Sequence, residues 1–183
     1  MLTIDDIITQ LTSDRRAGFP NRLAAIIRKE NFDLNKLIDL TFCPDDKMAF
    51  HAVWVLDVTI LAGPEMYVNN LDYFVARMRD VTNASCKRQY TRIMAHLTAP
   101  NAPEAVKLKI QSIDLENVVE QCFDWMIDPK IKVAVKVFAA ETLFNLRHRY
   151  DWIAEELGNQ LRFMLRDGGP AVQSAGKRLL KYL

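Results

Sequence analysis

A weak internal repeat constrains the fold of this chain more than any other feature of its sequence. Four segments place an apolar residue, then a small or aromatic residue, then another apolar residue at intervals of four. They are Met48–Ala52–Leu56, Cys86–Tyr90–Met94, Val135–Ala139–Leu143 and Val172–Gly176–Leu180. Their first residues lie 38, 49 and 37 positions apart. A period near 37 residues with one insertion predicts a solenoid of stacked helix pairs, which offers a long surface for binding.

The composition is that of an ordinary globular domain. Half of the 183 residues are hydrophobic and 26% are charged, and 6 Gly and 7 Pro argue against disorder and against a turn-rich β fold. The net charge of +1 gives no general attraction to nucleic acid or membrane. No apolar run reaches the ~18 residues of a membrane span, so we expect no membrane partner. Cys43, Cys86 and Cys122 are widely spaced and form no CxxC pair, which predicts buried reduced thiols in a cytoplasmic protein.

Proline, glycine and capping residues divide the chain into helices, and no segment resembles a strand pair. Pro44, Pro64, Pro129 and Pro170 each precede or open an apolar-periodic run, where a missing N–H costs little. We therefore predict an all-α fold, an α-α superhelix of about four helix pairs in one domain of residues 1–183. Its predicted parts are an N-terminal cap over 1–33, helix pairs over 34–63, 64–98, 114–149 and 150–183, and an insertion over 99–113.

Two segments carry a family resemblance. Asp128-Pro129 followed by the run 135–143 (VKVFAAETL) resembles the second helix of a HEAT repeat, which has Asp at the inter-helix turn, then Val-Arg, a small residue and Leu. The run 167–175 (DGGPAVQSA) is similar, with Gln173 where that family prefers a base. The resemblance extends more loosely over residues 34–183 and implies an armadillo-type helical-repeat fold.

A second likeness concerns residues 122–125 (CFDW) and 150–153 (YDWI). They resemble a group of small bacterial HEAT-like proteins that are often labelled adenylosuccinate lyase. The residues do not support that label, since the lyase superfamily has a Gly/Ser-rich signature loop with a catalytic serine. None of the four serines of this chain lies in such a loop, and we predict no catalytic residue.

Basic residues near the starts of two successive second helices form a candidate binding surface. Lys87 and Lys136 occupy the same repeat position, so stacking would place them side by side. Such a basic ladder would suit phosphate or an acidic peptide. Its predicted members are Lys87, Arg88, Arg92, Lys132 and Lys136. The alternative is a solvated face whose charge is balanced by nearby acids.

A second candidate site combines Trp54 and Asp57, three residues apart in the most apolar segment. A carboxylate there must be hydrogen-bonded, paired or in reach of solvent. HEAT-like DNA glycosylases for alkylated bases use tryptophans and an aspartate on a concave basic surface, so the resemblance implies a lesion or ligand site. The alternative is a structural hydrogen bond to a neighbouring repeat.

No motif for a cofactor or a metal is present, because the three histidines lack the spacing of metal ligands. The favoured hypothesis is a non-enzymatic scaffold that binds a protein or peptide. One alternative is a nucleic-acid-binding HEAT-like protein with a surface like that of the alkylation-repair glycosylases. The other is a small enzyme of unknown type.

Overall fold

The computed structural model describes residues 2–13 and 16–183, so residues 1, 14 and 15 of the predicted cap lie outside the described part. The described chain is all-helical, and no strand occurs in it. Its α-helices are α1 Ile4–Ser13, α2 Phe19–Lys29, α3 Leu34–Leu40, α4 Asp46–Leu61, α5 Leu71–Arg77, α6 Ala84–Leu97, α7 Glu104–Ser112, α8 Glu116–Ile127, α9 Val133–Leu146, α10 Ile153–Met164 and α11 Pro170–Leu180. None of these helices is long and apolar enough to span a membrane.

The helices stack in two layers. Helices α2, α4, α6, α9 and α11 lie side by side in that order and form the inner layer. Helices α1 and α3 pack on α4, while α8 and α10 pack on α9, and these belong to the outer layer. The four repeat segments lie on inner helices, and all of their residues except Met48 and Leu180 are buried. The repeat therefore marks the side of each inner helix that faces the outer layer.

Side-chain caps fix where two inner helices begin. The Asp45 carboxylate accepts from the N–H groups of Lys47 and Met48, both at 2.9 Å, at the start of α4. The Asn83 amide oxygen accepts from the N–H groups of Ser85 and Cys86 at the start of α6, as is typical of an N-cap asparagine. The Asn83 amide also donates to Asp46 Oδ1 at 2.7 Å. This contact holds the N-termini of α4 and α6 together and sets the register between the two helices.

The first helix of the pair predicted over 64–98 is broken. The sequence predicts one continuous helix over 65–79, but the chain forms a 3₁₀ helix Pro64–Asn70, then α5, then a 3₁₀ turn Met78–Asp80. Tyr67 leaves the helical region at φ −116° and ψ 16°. Asparagine has a low helix propensity, and the Asn70 side chain donates to Asn35 Oδ1 at 3.0 Å. The tertiary contact competes with a regular helix at this point.

The segment between the second and third repeat segments contains α7. Arg149 joins this helix to the end of α9, because its guanidinium donates to the carbonyls of Ile110, at 2.7 Å, and Ile113. The positive charge of Arg149 is also favourable there, because these carbonyls lie at the negative end of the α7 helix dipole. Lys109 on α7 forms an ion pair with Asp72 on α5.

The glycine pair before α11 offers a matched test of close packing. A Cβ at Gly168 would lie 2.5 Å from the Met164 carbonyl oxygen and 2.6 Å from Val172 Cγ1, whereas a Cβ at Gly169 would meet nothing within 4 Å. We expect Gly168→Ala to lower the free energy of unfolding by about 2 kcal/mol, because the clash includes backbone. Gly169→Ala is the control and should be near neutral. Urea unfolding of both variants measures the difference, and equal stabilities would contradict this packing.

Candidate binding face

The open side of the inner layer brings several predicted residues together. Trp54 follows the buried Ala52 by two residues, which places it about 200° around α4 and away from the outer layer. Arg92 has the same relation to Tyr90 on α6, where the Tyr90 hydroxyl lies 2.8 Å from the Thr41 hydroxyl at the end of α3. Because Tyr90 points to the outer layer, Arg92 points to the opposite side. We call this open side of α4 and α6, with Trp54, Arg88 and Arg92, the inner face.

Trp54 is the main apolar group of the inner face. Its side chain is 40% exposed although the residue lies in the middle of α4. Its ring meets Phe19 of α2 edge-on, with centroids 5.8 Å apart, and lies 5.9 Å from the ring of Phe50, one turn earlier. These contacts hold the indole in place and leave part of it exposed to solvent.

Asp57 and Arg92 form an ion pair between α4 and α6. The Asp57 side chain is 1% exposed, whereas that of Arg92 is 36% exposed. Oδ2 of Asp57 accepts from the Arg92 guanidinium, and Oδ1 has no hydrogen-bond partner among the described residues. The carboxylate therefore orients the guanidinium from below while part of the guanidinium remains at the surface.

Burial dominates the electrostatics of Asp57. Loss of solvent raises the pKa of this carboxyl above its usual value, and the nearby side chains of Arg92, His96 and Arg88 oppose that rise. Asp57 lies beneath the surface, so it supports Arg92 rather than contacting a ligand on the inner face. Arg88, one turn before Arg92, is exposed and places a second guanidinium on the inner face.

The lysines of the predicted ladder lie elsewhere. Lys136 Nζ donates to the Met126 carbonyl oxygen at 2.9 Å, near the end of α8, and burial lowers the pKa of this amine. Lys87 Nζ lies 5.8 Å from the ring centroid of Trp125, also on α8. Lys132 is exposed at the N-cap position of α9. Arg88 and Arg92 are therefore the predicted basic residues that share the inner face with Trp54.

A row of one tryptophan and three charged residues on the inner layer was missed in the sequence. The residue two positions after the middle of each repeat segment is, in order along the layer, Trp54, Arg92, Glu141 and Arg178. Arg92 pairs back to α4 through Asp57, and Arg178 pairs back from α11 to Glu141 on α9. Reading that single repeat position through all four segments would have revealed the row.

The comparisons with known proteins agree with this architecture. The family model of the HEAT repeat domain matches residues 7–183. The chain belongs to the HEAT repeat family. The HEAT-like, all-α superhelix predicted from the sequence is thereby confirmed.

This HEAT-repeat protein is also similar in fold to an engineered protein of known crystal structure. The two share 17% sequence identity with a TM-score of 0.60, and the match covers 97% of this chain and 79% of the engineered one. At this identity the likeness concerns the fold alone. No curated protein gives a match to the chain.

Other reactive side chains of the HEAT-repeat protein are occupied or dispersed. Nδ1 of His51 lies 2.7 Å from the Leu11 carbonyl oxygen, and Nδ1 of His96 lies 2.8 Å from that of Arg92. In residues 2–13 and 16–183, no three His, Cys, Asp or Glu side chains converge as metal ligands would. The three thiols are free. Burial raises the pKa of all of them, that of Cys86 to about 12, which keeps them in the unreactive thiol form.

Proposed function

We propose that this HEAT-repeat protein is a non-enzymatic, cytoplasmic scaffold that binds an acidic segment of another protein on its inner face. The observation that carries the proposal is that the exposed Trp54 lies on the same face as Arg88 and Arg92, one helical turn from the ion pair of Arg92 with Asp57. Tryptophan and arginine are the residues most enriched at the energetic centres of protein interfaces. A helical-repeat protein also offers a long, pre-formed surface to an extended partner.

The arrangement favours a ligand with two chemical features. Trp54 supplies a large apolar surface that is already fixed by Phe19 and Phe50, so little conformational entropy is lost on binding. Arg88 and Arg92 supply planar donors that match carboxylates in a bidentate geometry. A segment with an apolar side chain next to Glu or Asp residues would satisfy both groups at once.

Fluorescence anisotropy with a defined probe tests the proposal. The probe is a fluorescein-labelled peptide in which Glu residues flank Trp and Leu, with the same peptide carrying Lys in place of Glu as the charge control. We expect binding of the acidic peptide only, and we expect Trp54→Ala and Arg88→Ala each to weaken it about tenfold. The binding should also weaken as salt increases, because part of it is electrostatic.

Two variants control for general effects of the substitutions. Trp152→Ala removes a tryptophan that is 49% exposed, and Arg79→Ala removes an arginine whose side chain is 67% exposed. Trp152 lies just before α10 of the outer layer, and Arg79 lies in the 3₁₀ turn Met78–Asp80. Neither control should change the affinity. Equal losses in the controls and in the inner-face variants would place the peptide elsewhere on the protein.

A second candidate function is nucleic-acid binding, and the observation that favours it is the presence of Trp54 and two arginines on one face. A base can stack on an exposed indole while neighbouring guanidinium groups contact phosphates. The same anisotropy assay with labelled single-stranded and duplex DNA separates the two candidates. DNA binding that falls steeply with salt and depends on Trp54 and Arg88, with no binding of the acidic peptide, would favour this second function.

A further inference from the structure

A second accessible aromatic surface lies on the outer layer, at α8 and the start of α10. The rings of Phe123 and Trp152 stack with centroids 5.5 Å apart and planes inclined by 29°. Trp152 is 49% exposed, and the neighbouring Ile127 is 60% exposed. These side chains line an open groove of about 480 Å³, which we call the outer groove.

The polar rim of the outer groove carries one sign of charge. The other side chains that line it are Glu120, Asp124 and Glu156, and all three are exposed. No Lys or Arg occurs anywhere between residues 110 and 129, a stretch that includes all of α8. The rim is therefore acidic, in contrast to the inner face with its arginines.

Within the described residues, none of the three rim carboxylates takes part in an ion pair, although Asp57, Asp72 and Glu141 all do. Glu120 and Asp124 lie one helical turn apart on α8, an arrangement in which two like charges are mildly destabilising. A cation brought by a partner would relieve this repulsion.

We propose that the outer groove binds a basic amphipathic helix of a protein partner. One face of such a helix would place an aliphatic or aromatic side chain against Phe123, Ile127 and Trp152. Lys or Arg side chains on its flanks would reach the three rim carboxylates. Charge complementarity selects this occupant, because an acidic segment or a nucleic acid would be repelled by the same rim.

The outer groove is a separate site from the inner face, so the two proposals can fail independently. The outer groove would take a cationic helix, while the inner face would take an acidic segment. Trp152 of the outer groove and Trp54 of the inner face are exposed to similar extents, at 49% and 40%. Each tryptophan therefore serves as the control for the other.

A labelled model peptide tests the outer groove. The probe is a fluorescein-labelled helix-forming peptide with Leu on one face and Lys on the flanks, and its control carries Glu in place of every Lys. Anisotropy should show binding of the Lys peptide only. We expect Trp152→Ala and the double variant Glu120→Lys/Asp124→Lys each to weaken that binding by about tenfold or more.

A charge-matched variant makes the result specific to the groove. Glu30→Lys/Glu65→Lys changes the net charge by the same amount at two exposed positions outside the groove, and it should bind the Lys peptide as the wild type does. Trp54→Ala should also leave this binding unchanged. Equal loss in both charge variants would mean attraction by net charge alone and would overturn the proposal.

Sedimentation of the free protein excludes a second occupant. We expect a sedimentation coefficient that does not depend on protein concentration. Concentration-dependent self-association that Trp152→Ala abolishes would show that the groove binds a second copy of the chain, and would overturn the proposed partner.

Discussion

Tyr90→Ala is expected to lower the free energy of unfolding by about 4 kcal/mol, the largest single effect that this structure predicts. The side chain is fully buried between the layers. Its ring stacks on Phe74 of α5 with centroids 4.8 Å apart and planes inclined by 8°, and the ring of Phe42 lies edge-on at 6.0 Å. Removing the ring would leave a cavity that these neighbours cannot fill.

The hydroxyl of Tyr90 contributes a smaller part, which Tyr90→Phe isolates. Thr41 donates its own hydroxyl to the Ile38 carbonyl at 2.7 Å, so the Tyr90 hydroxyl donates to Thr41. Loss of this one buried hydrogen bond should cost about 1 kcal/mol. Urea unfolding followed by far-UV circular dichroism measures both variants, with Tyr182→Ala, at a 62% exposed site, as the neutral control. A midpoint for Tyr90→Ala equal to that of the control would contradict the inter-layer packing.

Arg92→Met is expected to lower the free energy of unfolding by about 3 kcal/mol at about pH 7. Asp57 is 1% exposed, and Arg92 is its only ion-pair partner within the described residues. Arg88 and His96 also face the carboxylate, but neither forms an ion pair with it. The variant therefore leaves a buried negative charge whose second oxygen already lacks a hydrogen bond.

The sign of the pH dependence follows from the direction of the Asp57 shift. Burial raises the pKa of Asp57 in the folded state above its unfolded value, so the folded state holds this proton more firmly. The resulting stabilisation is fully present below the unfolded pKa and is lost as pH rises through the folded pKa. Arg92→Met would raise the folded pKa further, and its deficit should therefore shrink as pH falls from about 7 to about 3.

A double-variant cycle tests this account. Asp57→Asn should be neutral or stabilising at about pH 7, because it removes a buried charge and leaves Arg92 free to reach water. Asp57→Asn/Arg92→Met should recover most of the stability that Arg92→Met loses. Chemical unfolding of all four proteins at both pH values provides the numbers. An Arg92→Met deficit that stays constant with pH, or that persists in the double variant, would show that the Asp57 charge is not its cause.

Part of the candidate site followed from local sequence, and part did not. The single turn between Trp54 and Asp57 was visible in the sequence, and so was the apolar segment around them. The sequence did not show that these two residues lie in different environments. Trp54 is exposed at the surface, whereas Asp57 is buried and faces α6. The ion pair with Arg92 joins residues 35 positions apart, a separation that only the packing of α4 on α6 brings together.

The two lysines at equivalent repeat positions illustrate the same limit. Their equivalence predicted neighbouring side chains on one surface, yet each follows the buried stripe by only one residue, which turns it about 100° around the helix. A side chain at that angle either reaches the open side of the inner layer or packs against a neighbouring helix, and the sequence does not show which. In this protein α8 lies there, and Lys136 donates to its end while Lys87 lies over Trp125. Whether these lysines bind a ligand stays a prediction.

Sequence patterns alone were enough to predict the all-α class, the HEAT-like repeat and the apolar positions that recur in four of the helices. They were enough because apolar periodicity and capping residues act within one helix or one turn. They did not determine that residues 65–79 break into 3₁₀ and α segments, nor which charged groups share a surface. Both features depend on tertiary packing, since contacts such as Asn70 with Asn35 and Arg92 with Asp57 form only at the angle and register at which the helices meet.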